Sequence, residues 1–385
     1  MDITLFDSSA IRQNLLPFTF TRPVAQVRIG ILKISEKWEA YGFSIGYETQ
    51  VYLQEKFPNN GSELRINGAL CPNDDLVKAI NSLQKDQRLI SGEEDLAVYG
   101  DGSEAISFEG DFRLITQPWE IFGFNKEQIV ADFTKITAGR TSAEITDPHT
   151  IVYGKENLFI EEGAKIKAAI INAEDGPVYI GKNAQVHEGT IIKGAFALCE
   201  SSHINMGAKI KGDTTVGPHS KVGGEVSNSV IFGFSNKGHD GFLGNSVIGE
   251  WCNLGADTNT SNLKNNYAPV KLWSYGTNRF ANTGLQFCGL MMGDHAKCGI
   301  NTMFNTGTVV GVGSNIFGAG FPRNFVPSYA WGGANGFTTF QLRKFYEVAA
   351  AVMNRRGLAL DDVEKNILST IFEATATNRV WENKA

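Results

Sequence analysis

Through the middle of the chain a large apolar residue recurs at every sixth position, and few folds tolerate that spacing. The series runs Ile180, Val186, Ile192, then Ile204, Ile210, Val216 and Val222. It resumes at Ile248 and Leu254, and again at Met292, Cys298, Phe304, Val310 and Ile316. Four residues after most of these sits something small: Ala184, Thr190, Ala208, Thr214, Ser220, Cys252, Thr258, Ala296, Thr302, Thr308 and Ser314. An antiparallel β domain alternates with period two and turns irregularly, so it does not generate this register. A parallel β-helix does, with three hexapeptides forming one triangular coil. The apolar position points into the prism and stacks on its equivalents, and the small position fits near a corner.

Glycine usage agrees. Of 42 glycines in 385 residues, 29 lie in 140–335, 11 before it and 2 after it. Corners demand φ > 0 or close backbone approach, which glycine supplies without a Cβ clash. With 11 prolines and no G-x-y period the chain is not collagenous, and 42% hydrophobic and 11% aromatic residues exclude disorder. The phase breaks twice, over the 26 residues from Val222 to Ile248 and the 38 from Leu254 to Met292, and neither stretch is needed to continue the coil. The second contains SNLKNNYAPVKLWSYGTNRFAN and reads as a loop leaving the scaffold, where function usually concentrates.

Either side the period is absent. Residues 1–115 read as a small α/β head. Its predicted strands are Ile3–Phe6, Arg28–Ile34, Arg88–Ile90, Leu96–Tyr99 and Ala105–Phe108, and a helix over Leu76–Gln84 follows Asp74 and Asp75 as caps. Residues 116–139 read as a helical linker, 140–335 as the β-helix and 336–385 as a helical tail. In the tail, Phe340, Leu342, Phe345, Val348, Ala349 and Val352 share one stripe between Thr338 or Thr339 and Gly357, with a second helix from Asp361 to about Thr377.

The net charge of −6 and the lack of basic runs argue against nucleic acid or anionic membrane as partner. Five cysteines, odd in number and without C-x-x-C spacing, read as reduced thiols of a cytoplasmic protein with no zinc cluster. The N-terminus lacks a basic n-region and no apolar run approaches ~18 residues, so neither a signal peptide nor a transmembrane helix is expected.

One block carries chemistry: SNKGHDGFLGNSVIGEWCNLGADTNTSNLKNNY, Ser235–Tyr267. It resembles the bifunctional UDP-N-acetylglucosamine pyrophosphorylase/glucosamine-1-phosphate acetyltransferase family. There a histidine precedes an aromatic-Leu/Val-Gly-Asp turn, one hexapeptide, an N-[IL]-G-A-G-T segment and an Asn. Here the matching residues are His239, Phe242-Leu243-Gly244-Asn245, Val247-Ile248-Gly249, Asn253-Leu254-Gly255-Ala256-Asp257-Thr258 and Asn262. GGEVSNSVI (Gly223–Ile231) is similar to the family's coil leading to the histidine, and the likeness extends over about 155–320.

The resemblance implies a left-handed β-helix and a homotrimer with active sites between subunits. It also implies acetyl transfer from acetyl-CoA to an amino-sugar phosphate such as glucosamine-1-phosphate. His239 would be the general base, since an imidazole with a pKa near ~6.5 suits removal of the amine proton. Asn253 and Asn262 match positions that bind the sugar, and Ala256 falls where a backbone N–H stabilises the oxyanion. Lys237 or Lys264 would bind the sugar phosphate. The family's tyrosine is Phe242 here, which removes a substrate-binding hydroxyl. The turn aspartate is Asn245, and the last glycine of G-A-G is Asp257.

In the head, LLPFTFTRPVAQVRIG (Leu15–Gly30) is similar to the Leu-x-Pro-Leu-Thr…Pro-Lys segment of sugar-phosphate nucleotidyltransferases. The glycine-rich phosphate loop before it is replaced by DSSAIRQN, and Val24 stands in place of the lysine. Arg12, Arg22 and Arg28 are the candidate nucleotide ligands, and Mg²⁺ would be required if the head transfers a nucleotidyl group from UTP or another NTP. The metal ligands are not identifiable from sequence. The fold reading is therefore α+β multidomain: a shortened nucleotidyltransferase-like α/β head, a left-handed parallel β-helix of hexapeptide repeats, and a helical tail. Two other activities fit the same residues: a nucleotidyltransferase with a structural β-helix, or a non-catalytic trimeric nucleotide-sugar-binding module.

Overall fold

In the computed structural model, which describes residues 1–382, every member of the six-residue series is buried, and so is every small residue that follows it. The inward side chains form one continuous cluster from Leu158 to Ala330. Full burial of an aliphatic side chain contributes about 1.5–3 kcal/mol, so the stacked series is the main source of coil stability.

Three parallel sheets make the faces. The first has nine strands, from Leu158–Ile160 to Phe325–Val326. The second runs from Lys165–Ile166 to Ala330–Gly333 and is closed by the antiparallel strand Gly336–Thr339. The third runs from Ile151–Tyr153 to Phe242–Gly244, and the pair Asn259–Thr260 with Met303–Phe304 extends its side of the coil. This is the left-handed hexapeptide coil that the resemblance implies.

Regular coils advance 18 residues, as in Val178 to Phe196 to Thr214. The stretch after Val222 is also coil, which corrects its reading as an interruption. Val226, Ile231, Lys237 and Leu243 occupy its inward positions, and the coils here are shorter: 15 residues from Thr215 to Val230, 17 from Val230 to Val247. The second break contains a true excursion. Val247 pairs with Met291, 44 residues on; after the coil strands Asn253–Leu254 and Asn259–Thr260 the chain folds out as a hairpin, Lys271–Ser274 with Arg279–Asn282. Along one corner, His219, Phe234, Trp251 and His295 stack at centroid spacings of 4.9, 4.3 and 6.1 Å, and the column continues across that excursion.

The chain forms two compact units, Met1–Arg28 with Leu32–Gln117, and Ile29–Ile31 with everything from Pro118 onward. The first holds a six-stranded mixed sheet. Asp2–Phe6 lies parallel to both Ser44–Glu48 and Leu64–Asn67, and Glu94–Tyr99, Gln87–Ser91 and Glu104–Ser107 follow. The helix Asp74–Asn81 is capped by Asn73, whose Oδ1 accepts from the Leu76 N–H at 2.8 Å, with Asp74 and Asp75 in its first turn.

The predicted strand Arg28–Ile34 does not form; its last residue begins the helix Ile34–Ala40. Ile29 and Ile31 are buried as the apolar pattern requires, but side chains take the backbone groups between them. Gly30 N–H donates to Asn125 Oδ1 and Ile31 N–H to Asp132 Oδ2, both at 2.8 Å, and Gly30 C=O accepts from Thr215. Asn125 and Asp132 lie on the helix Asn125–Thr137, which follows the short helix Pro118–Gly123. In the tail, the helix Leu342–Asn354 lies along the side of the coil, with Phe345 edge-on to His295 and Arg356 just beyond it donating to Asn236 Oδ1 at 3.4 Å, and the helix Asp362–Ala374 packs on the last coil. Phe345 stands edge-on to Tyr329, whose hydroxyl donates to Leu368 C=O at 2.6 Å. Asp361 caps the second helix through Glu364 N–H, whereas the first starts after Gln341 without the threonine cap its sequence suggests. All five cysteines are buried and outside any disulfide, and among the described residues no helix is long and apolar enough to cross a membrane.

Candidate active site

The corner that follows the second sheet is built from the residues after each inward side chain: His187 after Val186, Asn205 after Ile204, Gly223 after Val222, Gly238 after Lys237. These corners stack into a groove of about 720 Å³ lined by His187, Asn205, Met206, Gly223, Gly224, Gly238, His239, Asp240, Ala256 and Asp257. His239 and Asp257 are exposed in it, and Ala256 is half-buried beside them.

The groove's tightness comes from glycine. Gly224 has φ +71°, and a Cβ there would lie 2.7 Å from Gly241 C=O. Gly241, at φ +111°, would drive a Cβ to within 2.2 Å of Thr258 C=O. The turn that carries His239 is therefore clamped between the coil before it and the coil after it.

Its carbonyls are held as well. Gly238 C=O accepts from Asn205 Nδ2 at 2.6 Å, and Asp240 C=O from Asp257 N–H at 3.1 Å. Lys237 supplies the rest: its Nζ donates to the carbonyls of Gly223, His239 and Asp240 at 3.0, 2.6 and 3.3 Å. This side chain stands at an inward position, level with Val222, and is 3% exposed. Burial lowers its pKa to about 8, against the opposing pull of Asp240 and Asp257. Lys237 is thus an interior strut beneath the His239 turn and is not placed to meet a phosphate in the groove.

Among the described residues Ala256 N–H donates to no backbone carbonyl, while its C=O accepts from Asn301 N–H at 2.8 Å. Asp257 holds φ +59°, the left-handed conformation that glycine would adopt without strain. The groove therefore brings together an imidazole, a free backbone N–H and two carboxylates, Asp240 and Asp257. That set can accept a proton, stabilise an oxyanion and favour a cationic or amine ligand.

The other sequence candidates lie elsewhere on this chain. Asn253 is exposed on the outer side of its strand, between Asn236 and Lys297. Asn262 donates to Asn245 Oδ1 at 2.8 Å, next to half-buried Phe242, whose N–H donates to Asn259. Lys264 lines a different cavity, and its Nζ donates to Pro269 C=O at 3.0 Å. Sequence reasoning passed over His187, Asn205 and Gly223, although their 18-residue spacing places them on one corner of successive coils.

In the head, the three arginines are buried. Arg12 contacts Asp7 at 3.3 Å, Arg22 C=O at 3.2 Å and the Tyr52 hydroxyl at 2.9 Å, and Arg28 lies 3.5 Å from Glu36. The segment after the first strand, where the resemblance places a phosphate loop, forms the helix Ser9–Asn14. Asp7, at the end of the first strand, accepts from Val24 N–H at 2.8 Å and the Thr49 hydroxyl at 2.6 Å. Burial pushes its carboxyl above the usual range, although Arg12 opposes the shift. Among the described residues no three His, Cys, Asp or Glu side chains converge to hold a metal, so no step is assigned to Mg²⁺.

Residues 3–141 match the sugar nucleotidyl transferase family. Over 245 residues the chain is 26% identical to a bifunctional sugar-1-phosphate nucleotidylyltransferase/acetyltransferase of Sulfurisphaera tokodaii, covering 63% of this chain and 50% of that one. Over 271 residues it is 26% identical to the bifunctional protein GlmU of Methanocaldococcus jannaschii, covering 69% and 59%. The chain thus spans about half the length of the curated relatives it matches. An Arabidopsis UDP-N-acetylglucosamine acyltransferase aligns at 17% identity over 56% of this chain and 78% of its own, with a TM-score of 0.24.

Proposed function

From its kinship with the GlmU-like bifunctional sugar-1-phosphate nucleotidyltransferase/acetyltransferases, we propose that this chain is an acetyl-CoA-dependent N-acetyltransferase acting on an amino-sugar phosphate. The observation that carries the reading is the exposed His239 imidazole, on a turn locked by buried donors and beside the free Ala256 N–H. His239 takes the amine proton as nitrogen attacks the thioester carbonyl. Ala256 N–H stabilises the oxyanion, and the proton passes to the departing thiolate as the C–S bond breaks. Asp240 and Asp257 hold the amine in the groove before it is deprotonated.

Residues 140–335 form the acyltransferase domain in this assignment, 1–115 the nucleotidyltransferase-like head, 116–139 a linker and 336–385 a tail. A cytoplasmic homotrimer with sites between subunits would bring Asn253, Asn262 and Phe242 of one subunit toward the groove of another. Thiol release from acetyl-CoA over a panel of amino-sugar phosphates tests the reading. Turnover lost in His239→Ala supports it, and no release with any acceptor removes it.

The family match over residues 3–141 favours a second activity, transfer of a nucleotidyl group to a sugar 1-phosphate. It would require Mg²⁺ and an NTP such as UTP. Pyrophosphate release from UTP with N-acetylglucosamine-1-phosphate tests this separately, and its absence with every NTP leaves the coil's activity alone.

A further inference from the structure

A cavity of about 1120 Å³ in the second unit opens at the corner between the third and first sheets, a different edge of the prism from the His239 groove. Three segments remote in sequence wall it: the excursion with Lys264, Lys271 and Trp273, the last coil with Arg323 and Phe325, and the tail with Trp381. No carboxylate lines it, and none of the three cations has an ion-pair partner among the described residues. Three like charges around one hollow repel one another unless an anion lies between them.

The wall is also aromatic. Trp273 lies flat on Phe325 at 4.3 Å and 11°. Its indole N–H is buried with no hydrogen-bond partner among the described residues, which costs about 1–3 kcal/mol.

We propose that this cavity binds a nucleotide, with the base on the aromatic wall and the phosphates on Lys264, Lys271 and Arg323. Guanidinium and ammonium groups bind phosphate through charge-assisted bonds, and a heteroaromatic base supplies a stacking face for the aromatic wall. The same chemistry has two sources: the nucleotide end of coenzyme A, or a free nucleoside triphosphate or nucleotide sugar. Only the first rests on the acetyltransferase reading.

The test is calorimetry and tryptophan fluorescence on the full chain, with coenzyme A, UTP and UDP-N-acetylglucosamine as probes. At least one is expected to bind, and Arg323→Ala with Lys271→Ala should weaken it by roughly tenfold per charge removed. Trp273→Phe should retain binding and lose most of the fluorescence change. Binding of coenzyme A, with KM for acetyl-CoA raised and kcat kept in the double variant, identifies the acetyl donor as the source. Binding of UTP or the nucleotide sugar alone identifies the second source.

Both arginine and lysine are exposed, so the variants should fold, and an unchanged melting temperature verifies that. Affinity indifferent to Arg323→Ala, Lys271→Ala and the charge reversal Arg323→Glu overturns the proposal, as does no binding below about 1 mM by any probe. A chain that binds nucleotide through Arg323 yet releases no thiol upholds the cavity and removes acetyl transfer. Thiol release with a KM indifferent to these variants does the reverse.

Discussion

The coil carries two hollows on two of its edges, and they are opposites. The His239 groove is narrow, glycine-walled and acidic, with its one lysine turned into the prism. The cavity at Arg323 is wider, aromatic and wholly cationic. The groove is made by the coil itself, from residues that fall on one corner because 18 residues return to it. The cavity is made by departures from the coil: an excursion, a final turn and a tail. A repetitive scaffold can place a few side chains with little freedom, whereas recognition of a large ligand needs chain that leaves the repeat.

The largest expected effect that would break this contrast lies in the groove. His239→Gln should lower kcat for thiol release by about 10²–10⁴-fold while leaving nucleotide affinity intact. A loss of both would mean the two hollows form one site. Next is the glycine clamp. Gly241→Ala meets Thr258 C=O at 2.2 Å and should destabilise the coil by about 2–4 kcal/mol in urea unfolding. Gly207→Ala, with φ +70° and open space around it, should cost only about 1 kcal/mol. Equal costs would show that strain, and not close packing, governs the corner.

Lys237→Met is subtler. It should lower kcat by about tenfold by freeing the His239 and Asp240 carbonyls, with KM for acetyl-CoA unchanged. Its stability effect depends on pH. The folded pKa of about 8 lies below the ordinary lysine value of 10.5, so the unfolded chain binds more protons between them. Stability of the natural protein should therefore rise relative to Lys237→Met as pH climbs through that window. Melting curves of the two at pH 7 and pH 10 check the sign. Lys297, also lowered to about 8 by burial, is common to both chains and cancels. The smallest effect is Asp257→Gly, which should stabilise by up to about 1 kcal/mol by relieving the φ of +59°. It should also raise KM for the amine, because one carboxylate of the groove is lost.

Much of the coil was legible because burial and periodicity are the same fact seen twice. Ile192, Ile210 and Val310 could recur only if each pointed inward, and each is buried. The stretch after Val222 misled because its coils shorten and a lysine takes an inward place. A polar residue in the core series looks like the end of the series. The strand expected at Arg28–Ile34 misled for the converse reason. Its apolar residues are buried, but Asn125, Asp132 and Thr215 satisfy its backbone in place of a neighbouring strand. Of the candidate site, His239 and Ala256 could be read from their local block. Trp273, Arg323 and Trp381 could not, since only the completed fold brings those distant segments together.

The column of rings along the His219 corner bears on how such a chain can change over generations. Trp251 and His295 are 44 residues apart yet remain stacked at 6.1 Å, so the corner keeps its alignment across the excursion interposed between them. The excursion between them is free to be lengthened, shortened or exchanged without asking the coil to form again. Variation in ligand preference should therefore accumulate in that segment, while the corner on which it hangs stays constant.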